Sequence, residues 1–317
     1  NSMLYLGGKF LDEECLKFAA QIATKTGCRL VTDTFVSRIR RGAGLPIVQQ
    51  VPYFSEMAED FLQGTESIVF IGTKPPVSFF AYPDKKSFLS PDEAELFELC
   101  SVEENGYEAL ALLSELSGSP KIANELIRPY IADVPTSGDL DVTTLGPLIA
   151  DIMPEESIVS DESATSSLIV TPHALQAKPH DWLALTGGSI GQGLPLAIGA
   201  SIAKPDRPVI TLHGDGGAMY TVQALWTQAR ENLNITNIIF SNRSYEILKI
   251  ELDRVQAVET GERAASMFSM DNPPIDWVNL AESMGVQGYK PKTVKEFKDV
   301  FSKSVNESGP SLIEIEI

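Results

Sequence analysis

Cysteine, histidine and tryptophan are scarce, with three of each in 317 residues. Cys15, Cys28 and Cys100 are odd in number and lack metal-like spacing, which argues against a disulfide framework. A reduced, cytoplasmic compartment is the matching expectation. His173, His180 and His213 show no ligand spacing either. Basic residues are also in deficit: 25 Lys and Arg stand against 43 Asp and Glu, a formal charge of -18. That balance argues against nucleic acid or an anionic membrane as the main partner. Long apolar runs are missing too. The longest uncharged stretch, residues 183–203, could span a bilayer by length. Its glycines, proline and polar side chains make it a poor membrane helix, so no membrane association is expected. No signal-peptide pattern precedes the first strand-like run, MLYLGG, and no internal repeat stands out.

What the chain does contain is core-forming material, 43% hydrophobic and 8% aromatic, in a length suited to about two domains. Strand and helix signals alternate. MLYLGG, CRLVTD and SIVFIG read as strands in the first part, separated by the helical LDEECLKFAAQIATKTG and YFSEMAEDFLQG. Between residues 119 and 140 the periodicity fades into Ser, Gly and Pro, marking a linker. The alternation then resumes. SIVSD, PVITLHGD, ITNIIFSN and SLIEIEI read as strands, and VTTLGPLIADIM, PLAIGASIA, TVQALWTQAREN and DWVNLAESMG as helices. The expected fold class is α/β: two doubly wound parallel-sheet domains, residues 1–118 and 141–317.

The most informative stretch is VITLHGDGGAMYTVQALWTQAR. A strand runs into Gly214-Asp215-Gly216-Gly217, and an apolar stripe of Val222, Leu225, Trp226, Ala229 and Leu233 predicts a helix after it. The next strand ends at Ser241-Asn242. Strand, helix and strand in so few residues form a parallel crossover, which places Asp215 and Asn242 just past carboxyl ends of strands. Ligands bind at that edge of open α/β sheets. The Asp215 carboxylate, the Asn242 amide oxygen and the Ser244 backbone carbonyl are hard donors suited to Mg²⁺ or Ca²⁺. Gly216 and Gly217 are expected to open a helix whose free N–H groups favour an anion, so a diphosphate would meet both needs. A plain turn or a degenerate dinucleotide fingerprint competes with this reading. Met219 stands where the fingerprint needs glycine, and the following strand does not end in an acid.

Asp215 and Asn242, 27 positions apart, resemble the thiamin diphosphate motif, with Ser241 in place of the family's first Asn. Two further segments support the likeness. TGGSIGQGLPLAIGA resembles the glycine-rich segment of acetolactate synthases and benzoylformate decarboxylases, and VSDESATSS resembles the segment that reaches the diphosphate. The resemblance implies that Ile190 props the cofactor into its bent form and that the Gly188 carbonyl accepts from the aminopyrimidine. It also places Ala164, Thr165, Gly214, Gly216, Gly217 and Tyr245 around the cofactor, and Asp215, Asn242 and Ser244 on Mg²⁺. Residues 141–317 then correspond to the diphosphate-binding domain, and residues 1–118 to the central, nucleotide-binding-like domain. The latter can hold FAD in acetolactate synthases. FAD is the weaker expectation here, and the basic cluster of Arg38, Arg40 and Arg41 is read as a solvated face.

Nothing in residues 1–118 resembles the family's N-terminal pyrimidine-binding domain, which carries the glutamate that acts on N1′. Glu162 and Glu246 lie near the motifs, but neither matches that position. The resemblance therefore implies an acetolactate synthase-like catalytic subunit seen without one domain and expected to be inactive alone. A benzoylformate-type decarboxylase and a non-catalytic binding or regulatory module are the alternatives. Ile247 and Leu248 would line the pocket for a 2-keto acid, and a homo-oligomer, dimer or tetramer, would complete the site. The loop from Gly187 to Gly193 is expected to be less ordered than the sheet without its ligand.

Overall fold

The structure, a computed structural model, describes residues 1–123, 134–255 and 261–317. Its contacts divide the chain into two units, Asn1–Arg128 and Pro129–Ile317. The division falls within the stretch read as a linker, of which residues 124–133 lie outside the described residues.

The first unit contains β1 (Ser2–Leu6), α1 (Glu13–Thr26), β2 (Arg29–Thr32), β3 (Ile39–Arg41), β4 (Gln49–Gln50), α2 (Ser55–Leu62), β5 (Ser67–Ile71), β6 (Glu95–Cys100) and α3 (Gly106–Leu116). Helix α1 begins where the Asp12 side chain accepts from the Cys15 N–H at 2.8 Å and ends at Gly27 in the left-handed conformation, φ 73°. Strand β1 is apolar on both faces, as a central parallel strand must be. Met3 and Tyr5 pack with Ala58 and Leu62 of α2, while Leu4 and Leu6 are buried on the opposite face. The parallel strand order β4-β2-β1-β5-β6 reverses direction between β1 and β5.

That reversal would leave a ligand crevice, but the unit fills it with its own side chains. A Cβ on Gly7 would come within 2.5 Å of Thr73. One on Gly72 or Gly106 would strike the Phe10 ring at 2.2 Å or 2.6 Å, and Phe10 itself is buried. The expected solvated arginine face needs correction. Arg38 is exposed, but Arg40 and Arg41, in the short strand β3, are buried. Arg40 reaches Glu13 at 3.5 Å. All three cysteines are free.

The second unit contains α4 (Val142–Ile152), β7 (Ile158–Glu162), α5 (Ser167–Ala174), β8 (His180–Leu183), α6 (Gly193–Ala203), β9 (Val209–Gly214), α7 (Asp215–Ala218), α8 (Ala224–Arg230), β10 (Ile235–Ser241), α9 (Glu246–Arg254), α10 (Glu262–Ser266), α11 (Trp277–Ser283), β11 (Gln287–Tyr289), α12 (Val294–Ser304) and β12 (Ser311–Glu316). Its strands run β11-β12-β10-β9-β7-β8, every pair parallel. The α/β class with parallel sheets is as expected. From β7 the chain passes to β8 on one side and then returns to β9 on the other, so the order reverses between β7 and β9.

The stretch after β9 differs from the single amphipathic helix read from its apolar spacing. It is a one-turn helix, α7, then a break, then α8. Val222, Leu225 and Ala229 join the core as the stripe requires, but Trp226 is exposed, with the Arg230 guanidinium 5.4 Å from its ring. Leu233 lies beyond α8 and packs with Val209 and Ile235. Across the sheet, the Asn237 amide accepts from Thr211 and Gln228 and donates to Gln228 and to the Ser311 carbonyl, all inside the core. Such a satisfied network fixes the strand neighbours. The uncharged 183–203 stretch becomes a strand end, a loop and α6, and no helix among the described residues is long and apolar enough to cross a membrane.

Because Phe10 fills space that Gly72 and Gly106 leave open, Phe10→Ala should leave a cavity the backbone cannot close. A loss of about 3–5 kcal/mol is expected, read from the urea midpoint. A loss below about 1 kcal/mol would mean that the ring is not a packing element.

Candidate functional site

Four loops leave the carboxyl edge of the second sheet around the reversal point. They begin at Ser163 after β7, at Ala184 after β8, at Asp215 after β9 and at Asn242 after β10. The parallel register brings Glu162 level with His213, and Gly214 level with Phe240. The Gly-Asp-Gly turn and the Ser-Asn strand end, distant in sequence, thus meet at one edge.

Asp215 is the buried centre of this edge, 3% exposed. Its Oδ1 accepts the Gly216 N–H at 2.8 Å and its Oδ2 the Arg243 N–H at 2.7 Å. The Ser241 hydroxyl also bonds to this carboxylate. Burial pushes the Asp215 carboxyl above its usual value, against the lowering by the Arg243 and Gly216 N–H bonds. The Arg243 guanidinium turns away to Asp271, at 3.1 Å, and to Glu316. The Asp215 N–H bonds to its own carboxylate as well, so about four acceptor positions meet four donors, none of them a charged group.

Asn242 is half-buried beside this group, and its Oδ1 accepts the Ser244 N–H at 3.0 Å. The loop is held by a bridge between Ser244 and Ser269 and by Tyr245 N–H donating to the Phe268 carbonyl at 2.9 Å. The Tyr245 ring lies on Gly216, where a Cβ would come within 2.7 Å of it. Two non-glycine residues of these loops sit in the left-handed region, Ala164 at φ 49° and Arg243 at φ 53°. Such strain, about 1–3 kcal/mol each, gathers where a loop must present its backbone to a ligand.

The anion site expected at a helix opened by Gly216 and Gly217 is not built that way. Helix α7 has only four residues, and the Gly216 N–H is already taken by the Asp215 side chain. Among the described residues no group of three or more His, Cys, Asp or Glu could hold a metal. A cation here would therefore depend on amide and carbonyl oxygens beside the single carboxylate, the donor set expected of Asp215, Asn242 and Ser244.

The glycine-rich loop is tied from below. Glu162, 5% exposed, accepts the Gly191 N–H on Oε1 and the Gly193 N–H on Oε2, the latter at 2.7 Å. The same Oε2 lies 3.2 Å from Nε2 of the fully buried His213. Burial pushes the Glu162 carboxyl up, but His213 and the two N–H groups outweigh it, and the group ends below the usual carboxylate value. Above this anchor, Ile190 is half exposed and its N–H donates to the Gly188 carbonyl at 2.9 Å. Ala164 is exposed, Thr165 half-buried, Ile247 half-buried on α9, and Leu248 48% exposed. Glu162, His213 and Ser241 carry interactions that the motifs did not assign. Two acids closing an apolar strand, Asp161-Glu162, were the available signal, because a carboxylate at the end of a central strand must find buried donors.

Comparison with known proteins gives a family match and relatives of similar sequence and fold. Residues 164–315 match the family described as "Thiamine pyrophosphate enzyme, C-terminal TPP binding domain". The chain is 40% identical, over 99% of its length, to the acetolactate synthase large subunit-like protein IlvX of Mycobacterium tuberculosis, and covers 61% of that protein. It is 26% identical to the benzoylformate decarboxylase of Pseudomonas aeruginosa, over 65% of this chain and 38% of that protein. Among solved structures, a thiamine diphosphate-dependent 4-hydroxybenzoylformate decarboxylase of Rhodococcus jostii shares the fold at a TM-score of 0.75 and 24% identity, covering 100% of this chain and 61% of that one.

The depressed Glu162 carboxyl gives a pH test. A folded value below the unfolded one adds stability that is present above 4.5, the ordinary glutamate value, and is lost as pH falls through the folded value. Glu162→Gln removes that contribution. The stability gap between wild type and Glu162→Gln should therefore narrow as pH falls below 4.5, measured by urea unfolding at pH 7 and pH 4. A gap that stays constant would contradict the assignment.

Proposed function

Because the chain belongs, through its domain at residues 164–315, to the thiamine diphosphate-dependent enzymes, we propose that the edge between β7 and β9 binds thiamin diphosphate with Mg²⁺. The protein would act on a 2-keto acid. The observation that carries this reading is Asp215, a buried carboxylate held by N–H and O–H donors, whose neighbouring guanidinium is engaged elsewhere. A hard divalent cation answers that demand, and octahedral Mg²⁺ takes its remaining ligands from water and phosphate oxygens.

Within this reading, Asp215, Asn242 and the Ser244 carbonyl hold the cation. Thr165 and the backbone at Ala164 meet the diphosphate, with Gly214, Gly216, Gly217 and Tyr245 packed beside it. The Gly188 carbonyl accepts from the aminopyrimidine, using the acceptor capacity that its bond to the Ile190 N–H leaves. Ile190 supports the bent cofactor, and Ile247 and Leu248 face the substrate. Bound thiamin diphosphate supplies the electron sink for decarboxylating a 2-keto acid.

The chain spans 61% of the length of its IlvX relative. The group that moves a proton at the pyrimidine is assigned to the pyrimidine-binding domain of the longer family members, so these residues alone turn over little. Exposed Leu168, Ile190, Tyr220 and Met267 support a homo-oligomer or a docked domain over this edge. Acetolactate synthase-like carboligation is the preferred activity. The 26% identity to a benzoylformate decarboxylase supports simple decarboxylation as the second reading, and product analysis separates the two.

Asp215→Ala and Asn242→Ala each remove a hard oxygen ligand. Calorimetric titration should show Mg²⁺-dependent thiamin diphosphate affinity falling by about 100-fold or more, the upper end of what losing even an outer partner of a metal costs. Unchanged affinity in both variants would end the metal assignment.

A further inference from the structure

We propose that Glu162 is a positioning residue for the cofactor pocket, its carboxylate clamping Gly191 and Gly193 so that the backbone carrying Gly188 and Ile190 is set before any ligand arrives. The proposal rests on the thiamin diphosphate reading and adds a residue to it. The two donors are two positions apart in the loop, and each engages its own carboxylate oxygen. Gly191 is fixed at its other end as well, its carbonyl accepting from the Thr221 hydroxyl at 2.6 Å.

Three glycines on two loops lie at or beside this group, and Glu162 itself crowds two of them, Gly193 and Gly217. Gly191, at φ 92°, has no room for a side chain against Tyr220, where a Cβ would approach to 2.7 Å. A Cβ on Gly193 would meet the His213 ring at 2.8 Å, and one on Gly217 would meet Glu162 Oε1 at 2.8 Å. The carboxylate thus bonds the loop after β8 and packs against the turn after β9 without bonding to it. It also explains why Ile190, an apolar residue 49% exposed, can stand out from the protein on a loop rich in glycine. The clamped peptide beside it, rather than packing of its own side chain, holds its position.

Glutamine cannot replace this clamp. It has the size of glutamate but only one acceptor oxygen, and its NH₂ group would face the second N–H. Glu162→Gln should therefore free one end of the loop while leaving Asp215 and Asn242 untouched.

The test compares two probes by calorimetry, thiamin diphosphate with Mg²⁺ and inorganic pyrophosphate with Mg²⁺, alongside amide hydrogen exchange of the unliganded protein. In Glu162→Gln, thiamin diphosphate should bind about tenfold or more weaker, while pyrophosphate stays within about twofold, the loss of one charge-assisted hydrogen bond acting only on the part of the ligand that the loop meets. Exchange at Gly191 and Gly193 should rise about tenfold or more, with Asp215 to Ala218 unchanged. If Glu162→Gln does not fold, Thr221→Val, which frees the other end of Gly191, should give the same pattern. Equal losses for both probes, or unchanged exchange at the two glycines, would overturn the proposal. A wild-type protein that binds neither probe contradicts the cofactor reading instead, and the exchange measurement then decides the clamp alone.

Discussion

Everything at the candidate site depends on one constraint of parallel sheets: strands that share a direction deliver their loops to one edge. Where successive connections run opposite ways, those loops part and leave a crevice. The second unit reverses between β7 and β9, and the ends of those strands are Glu162 and Gly214. Asp215, Asn242 and the glycine-rich loop therefore converge without any long-range device beyond the sheet itself. The first unit obeys the same rule between β1 and β5, yet Phe10 fills its crevice. Two similar topologies thus differ at the one place where they could bind a ligand.

Within the second crevice two buried carboxylates take opposite parts. Glu162 is lowered, because His213 and two N–H donors outweigh its burial, and its bonding capacity is committed to the protein. Asp215 is raised, because burial outweighs the N–H groups that hold it. Environments that push like groups apart are a mark of divided roles. In the proposed reading one carboxylate shapes the backbone and the other takes the cation.

Most of this was legible in the sequence wherever the signal was local. The apolar runs of β1, β5, β9 and β10, the acid-capped start of α1 and its Gly27 end, and the spacing of Asp215 and Asn242 each reflect neighbours in the chain. What escaped depended on distant contacts. Trp226 fits the apolar stripe of its helix, but the break after α7 turns it to solvent against Arg230. Arg40 and Arg41 read as a solvated cluster, because burial of β3 cannot be seen from charge alone. Glu162 looked like a bystander, since its donors, Gly191 and Gly193, lie 29 and 31 residues away. Short strands such as β11 and edge strands such as β6 carry too little apolar alternation to announce themselves.

The central claim is that Asp215 and Asn242 hold a divalent cation that carries a diphosphate at this edge. A crystal structure with Mn²⁺ and thiamin diphosphate tests it most directly, because the anomalous signal locates the metal without reference to any assumed ligand. The account predicts one strong peak about 2.1 Å from an Asp215 carboxylate oxygen and from Asn242 Oδ1, with diphosphate oxygens completing the coordination. A peak elsewhere, or cofactor bound with neither residue touching the metal, would contradict it.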